Sequence, residues 1–128
     1  MVDGSGTLLV KTFLDAMAAR DLAAARAMLA PGFAMTFPGG ARFKTLEELV
    51  AWAKPRYRWV KKKHERFDEA PGADGEAIVY CYGTLYGEWP DGAPFEGIRF
   101  IDRFAIAGGK LVDQLVWNDL AESRKAGA

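Results

Sequence analysis

Residues 98–106 read Ile-Arg-Phe-Ile-Asp-Arg-Phe-Ala-Ile, and this alternation constrains the chain more than any other segment. A period of two puts Ile98, Phe100, Asp102, Phe104 and Ile106 on one face and Arg99, Ile101 and Arg103 on the other. A face that apolar requires a core to cover it. The lone carboxyl group within it requires a partner, a raised pKa or a ligand, because burying an unpaired charge is costly. The segment therefore predicts a strand whose inner face borders a pocket.

The elements around it fall into two groups. Residues 5–19 carry Leu9, Phe13, Ala16 and Met17 on one side, as an amphipathic helix with Ser5 as its cap. Asp21 begins a second helix through Leu22, Ala25, Arg26 and Leu29, which Pro31-Gly32 ends. A short strand from Phe33 to Phe37 follows. Thr45 and Glu48 form a capping box before a third helix with Leu46, Leu49, Val50 and Ala53 on its apolar face, and Pro55 is expected to kink it or start a looser final turn. Four longer strands then cover about residues 61–69, 76–89, 95–106 and 110–119. Turn signals at Pro71–Gly75, Pro90-Asp91-Gly92 and Gly108-Gly109 separate them. Helices first and an antiparallel sheet afterwards is an α+β arrangement, with three N-terminal helices against one sheet face.

A chain of 128 residues, half of them hydrophobic, is expected to form one domain spanning 1–128. Zero formal net charge argues against a dedicated nucleic-acid binder. The only cysteine, Cys81, excludes an internal disulfide and fits a reducing compartment, so a cytoplasmic protein is expected. No stretch has the apolar length of a membrane span and the first residues lack the pattern of a signal peptide, so no membrane partner is expected.

Turn chemistry sets which residues share the pocket. A two-residue turn at Asp91-Gly92 places Cys81 opposite Asp102, Gly83 opposite Phe100 and Leu85 opposite Ile98. The next turn allows two registers. A two-residue Gly108-Gly109 turn puts Asp102 beside Leu115 and Arg103 beside Gln114. A three-residue loop from Ala107 to Gly109 pairs Asp102 with Gln114 and Arg103 with Asp113. The second is preferred, since opposite charges across strands contribute roughly 0.2–1 kcal/mol and Asp102 gains a polar partner. The inner face then holds Cys81, Gly83, Leu85, Ile98, Phe100, Asp102, Phe104, Val112, Gln114 and Val116. Inner glycines at 83 and 87 permit sharp curvature or leave a cavity. The outer face presents Tyr80, Tyr82, Tyr86, Arg99, Ile101 and Trp117, residue types enriched at interfaces, with Arg99 able to stack on Trp117. That face predicts a homodimer.

The stretches FLDAMAARDLAAARAMLAPGFAMTFPGG and GIRFIDRFAIAGGKLVDQLVWND resemble the nuclear transport factor 2-like superfamily, in its SnoaL-like branch. The resemblance spans nearly the whole chain. It implies a cone-shaped α+β barrel, a curved antiparallel sheet wrapped around three helices, usually dimeric, with a ligand cavity at the mouth. It implies no single chemistry, because isomerases, dehydratases, cyclases, epoxide hydrolases and silent binding modules share the scaffold. The IDRF segment resembles IDHF of ketosteroid isomerase, where Asp102 matches a protonated, oxyanion-binding aspartate. The positions matching that enzyme's general base and first-helix tyrosine are Phe37 and Phe13. The positions matching limonene epoxide hydrolase's polar groups are Gly83, Leu85, Val116, Met35 and Phe37. Neither mechanism transfers.

The expected site is a cavity for a small, mostly apolar molecule, with Asp102 as its polar anchor and Gln114 beside it. Phe13, Met17, Met35, Phe37, Leu85, Ile98, Phe100, Phe104 and Val116 supply the walls, with Tyr57 and Asn118 at its margins. The alternative is an acid–base enzyme of isomerase, dehydratase or cyclase type with Asp102 as general acid and His64 as a second group. Parity leaves the direction of His64 open, and its neighbours Lys61-Lys62-Lys63 and Glu65-Arg66 favour a solvated side chain. The basic residues between Lys54 and Arg66 read as a solvated face guarding an edge strand, or as a site for an anionic ligand. One His and one Cys make no metal cluster, and neither metal nor cofactor is expected.

Overall fold

The computed structural model describes residues 4–126, with side chains through Ser123. Helix α1 spans Ser5–Ala18, α2 Leu22–Arg26, β1 Leu29–Phe37, β2 Ala41–Phe43, α3 Leu46–Ala53, β3 Trp59–Pro71, β4 Ala77–Glu88, β5 Pro94–Ala107, β6 Lys110–Asn118 and α4 Leu120–Ala126. The six strands form one open, curved sheet in the order β2-β1-β6-β5-β4-β3. Four neighbouring pairs are antiparallel, while β1 runs parallel to β6. The helices cover the concave face, where Phe13 of α1 meets Phe104 of β5 edge-on with ring centroids 6.0 Å apart. Val10, Phe13, Met35, Leu46, Phe104 and Leu111 are core residues with almost no exposure.

Helix starts differ in how their free N–H groups are met. Thr45 and Glu48 form the expected capping box, with Glu48 N donating to Thr45 Oγ1 at 3.1 Å and Thr45 N to Glu48 Oε1 at 3.0 Å. Backbone donors hold the Glu48 carboxyl below its ordinary range. At α1 the cap position is Gly4, so Ser5 falls inside the helix. A distant side chain serves this end: Glu69 of β3 accepts from Thr7 N at 2.8 Å and Thr7 Oγ1 at 2.6 Å.

Helix α2 is shorter than its alanine content predicts. Its exit is captured by β6, with Leu111 N donating to Met28 O at 2.8 Å and Lys110 Nζ to Ala27 O at 2.6 Å. Strand pairing then begins at Leu29, and Pro31-Gly32 sits in a register shift inside β1 instead of ending a helix. Strand β2 and helix α4 extend the predicted set.

Both hairpins reach their registers through bulges. In β4–β5, Trp89 N donates to Ala93 O, so the loop has three residues, Pro90 to Gly92. A shift between Leu85 and Gly87, opposite Glu96-Gly97, cancels the extra residue, and Cys81 still faces Asp102, Gly83 faces Phe100 and Leu85 faces Ile98. In β5–β6 the loop is the two-residue Gly108-Gly109, and a bulge at Val112 moves the register the other way. Asp102 therefore faces Val116 and Phe104 faces Gln114, correcting the preferred pairing of Asp102 with Gln114. Leu111, not Val112, takes the inner position. Arg103 faces Leu115 but still reaches Asp113 diagonally at 3.3 Å.

Strand β3 carries a third bulge at Glu65, between His64 opposite Gly83 and Arg66 opposite Tyr82. Side chains 60, 62 and 64 face inward before it, and Phe67 and Glu69 after it. A Cβ on Gly83 would lie 2.0 Å from Lys63 O, and one on Gly87 2.1 Å from Trp59 O. These glycines leave no void, because the β3 backbone occupies the space and curls over β4.

Candidate functional site

A cavity of about 260 Å³ opens between α1, α3, β1 and β3. Its walls are mostly apolar: Phe13, Leu14 and Met17 from α1, Leu49, Val50 and Ala53 from α3, with Phe37 and Val60 from the sheet. Phe37 is held by Phe43 and Trp52, with centroids 5.9 and 5.5 Å away. Polar groups enter from Tyr57, Lys62, His64 and Gln114, with Asp15 and Arg20 also lining the space.

Asp102 is fully buried, and Lys62 Nζ pairs with its Oδ2. Asp102 Oδ1 has no hydrogen-bond partner among the described residues. Asp102 itself lies behind Lys62 and does not line the cavity, which corrects the expectation that the carboxyl group projects into it. Lys62 is the polar group that does, with its side chain 27% exposed and its ammonium 5.0 Å from the Phe100 ring centroid. An ammonium has only donors to offer, so Asp102 accepts from Lys62 at Oδ2 instead of presenting a hydrogen bond to the cavity as the ketosteroid isomerase resemblance implies.

His64 turns inward, opposite to the solvated reading. Its ring packs against Phe67 at 4.9 Å and edge-on to Phe100 at 5.6 Å, and Nε2 is buried without a hydrogen-bond partner among the described residues. Burial and then Lys62 lower its pKa, against the smaller pull of Asp102 and Asp15. The ring is neutral at pH 7. Burial pushes the Tyr57 hydroxyl up, opposed by Arg20, Lys62 and Arg56. Burial followed by Asp102 pushes the Cys81 thiol up to about 12, leaving it a thiol and not a nucleophile.

Of the predicted wall residues, Phe13, Met17, Phe37, Tyr57 and Gln114 border the cavity. Met35, Leu85, Ile98, Phe100, Phe104 and Val116 are buried in the core behind it instead. Asn118 faces Phe100 at the end of β6 but does not line the cavity, and its Oδ1 accepts from Leu120 N at 3.2 Å at the start of α4. The helix α3 residues and Lys62 are the additions. Lys62 is hidden in a basic run, and its inward direction follows from strand alternation with the exposed Lys61 and Lys63. No group of three or more His, Cys, Asp or Glu side chains among the described residues is placed to hold a metal ion.

The outer face presents Tyr80, Tyr82, Tyr86, Ile101 and Trp117, together with Trp59. Arg99 donates from Nε to Asp119 Oδ2 at 2.6 Å instead of stacking on Trp117. An open groove there is bordered by Tyr82, Ile101 and Trp117. No helix among the described residues is long and apolar enough to cross a membrane.

A family model described as a SnoaL-like domain matches residues 10–114. The chain belongs to the SnoaL-like family. No curated protein sequence matches this SnoaL-like protein. Solved structures share its fold at low identity. An NTF2-like protein of unknown function from Burkholderia pseudomallei K96243 is 20% identical with a TM-score of 0.79, covering 94% of this chain and 95% of that one. TerC, co-crystallised with polyporic acid, is 14% identical with a TM-score of 0.79, over 94% and 96%. A putative SnoaL-like polyketide cyclase from Jannaschia sp. CCS1 is 17% identical with a TM-score of 0.73, over 98% and 92%. The SnoaL-like protein therefore has a cone-like α+β fold with an open sheet, an architecture found in proteins that bind small molecules and in proteins named as cyclases.

Proposed function

We propose that this SnoaL-like protein binds a small, mostly apolar molecule in the cone cavity, anchored by one oxygen function on Lys62, with Asp102 holding the ammonium in place. The observation that carries the reading is the apolar cavity with the Lys62 ammonium and an unpartnered His64 nitrogen on one wall. Native mass spectrometry of freshly purified protein, repeated on a cavity-filling Leu49→Trp variant, tests it. The expected result is a retained small molecule, or uptake of an apolar aromatic alcohol, that the variant loses. Absence of both from the wild type contradicts it.

A second reading is catalytic and follows from His64. A neutral imidazole two residues from an ammonium on the same strand face can take a proton while the cation stabilises the oxygen that gains charge. This gives cofactor-independent isomerase, dehydratase or cyclase chemistry with His64 as base and Lys62 as electrostatic partner. Asp102 then serves as a positioning residue instead of the general acid.

The exposed outer aromatics support a homodimer through that face, in the same cytoplasmic setting that a single buried cysteine suits. Light scattering on wild type and Ile101→Lys should give a dimer and a monomer, respectively. A monomeric wild type contradicts this part.

A further inference from the structure

The charges around the cavity narrow the ligand class. Lys62 offers three N–H donors, and one acceptor, Asp102 Oδ2, is seen. Because Asp102 is fully buried behind the lysine, a molecule in the cavity meets the ammonium and not the carboxylate. His64 follows two residues later on the same face and also lines the cavity, with its Nε2 buried and without a hydrogen-bond partner among the described residues. Arg20 stands at the opening, where its NH1 donates to Met17 O at 2.7 Å.

The opposing groups are few. Asp15 is the one carboxylate among the described lining residues, and it lies on the exposed side of α1. Lys61 also borders the opening, with its ammonium 5.8 Å from the centroid of the outer-face Trp59 ring. The charged groups around two polar tips in the wall show the same bias. The charges acting on the Tyr57 hydroxyl are Arg20, Lys62 and Arg56, all cations. At His64, with Lys62, Lys11, Asp102 and Asp15 around it, Lys62 is the strongest charge.

We propose that the ligand of this cavity is an acid: one carboxylate on an apolar body of one or two rings, its oxygens on Lys62 Nζ and His64 Nε2. The inference rests on the binding function proposed above and adds the charge of the ligand. The Lys62 ammonium supplies a charge-assisted bond to one carboxylate oxygen, and the neutral His64 ring, in the tautomer that carries its proton on Nε2, supplies the donor for the other. Lys62 is the one cation set into the mostly apolar wall, with Arg20 at the opening and already donating to Met17 O, so a single negative charge is matched there better than a dianion such as phosphate.

Three naphthalenes of the same shape test the sign of the charge: 2-naphthoate, 2-naphthylmethanol and 2-naphthylmethylammonium, titrated by fluorescence at low salt. The acid is expected to bind about tenfold more tightly than the alcohol, and the amine most weakly. In a paired variant, Lys62→Met with Asp102→Asn, both charges leave together, the fold keeps no stranded ion, and the acid's advantage should vanish. Equal binding of acid and alcohol, tightest binding of the amine, or an advantage that survives in the paired variant overturns the inference while the cavity function stands. Failure of all three probes to bind overturns both.

Discussion

Lys62 reaches Asp102 across a strand that contains neither of them. The lysine is on β3, the aspartate on β5, and β4 lies between. The crossing passes the side-chain-free position Gly83, which faces Phe100 on one side and His64 on the other. Gly83 thus lets β3 approach closely and clears the path along which the ion pair forms.

The pair should be energetically lopsided. Lys62→Met strands a fully buried carboxylate and is expected to cost about 3–5 kcal/mol. Asp102→Asn leaves an ammonium that can turn towards solvent, since the lysine side chain is 27% exposed, and is expected to cost about 1–3 kcal/mol. Denaturant titration of both variants checks the order. Equal or reversed losses would mean that Lys62 is not the partner on which the buried Asp102 depends.

Gly83→Ala is expected to cost about 3 kcal/mol or more, because the new Cβ would lie 2.0 Å from Lys63 O and backbone cannot step aside cheaply. The measurement is again denaturant unfolding, with Thr84→Ala as a neighbouring control on the same strand. A change no larger than the control's would contradict the close approach of β3.

His64 makes stability depend on pH with a defined sign. Its folded pKa lies below the ordinary 6.5, mainly from burial, with Lys62 and Lys11 adding to the depression and Asp102 and Asp15 opposing it. The unfolded chain therefore binds the proton first, and the contribution is fully present above the unfolded pKa and lost as pH falls through the folded one. Between about pH 7 and pH 5, wild type should lose more stability than His64→Gln. Parallel pH curves for the two proteins would place the imidazole in solvent.

Much of this arrangement is legible in the sequence, and most of the differences share one cause. The inner face of β5, the Thr45–Glu48 cap, the pairing of Cys81 with Asp102 and the aromatic outer face follow from periodicity and turn chemistry. What misled was the bulge. Each extra residue at Glu65, Val112 and around Gly97 changes which side chains face inward, and period-two counting does not register an insertion. The β4–β5 register came out right because two offsets cancelled. The β5–β6 register did not, and Asp102 lost Gln114 as a neighbour. The partner that replaced it, Lys62, came from a run of lysines whose composition reads as solvent-facing surface.

Cys81 offers a check on the core around the pair. It is fully buried, faces Asp102 and has its thiol pushed up to about 12. A thiol-specific disulfide reagent at pH 8 should react only as fast as the protein opens, and faster in Lys62→Met than in wild type. Immediate labelling of the native protein would contradict the burial of this region.

The most direct test is a crystal structure of the protein grown with 2-naphthoate. The account predicts the carboxylate within about 3 Å of Lys62 Nζ, with the rings between Phe13, Phe37 and Leu49. A naphthoate seated in the outer groove by Tyr82 and Trp117, with the cone cavity filled only by solvent, would contradict it.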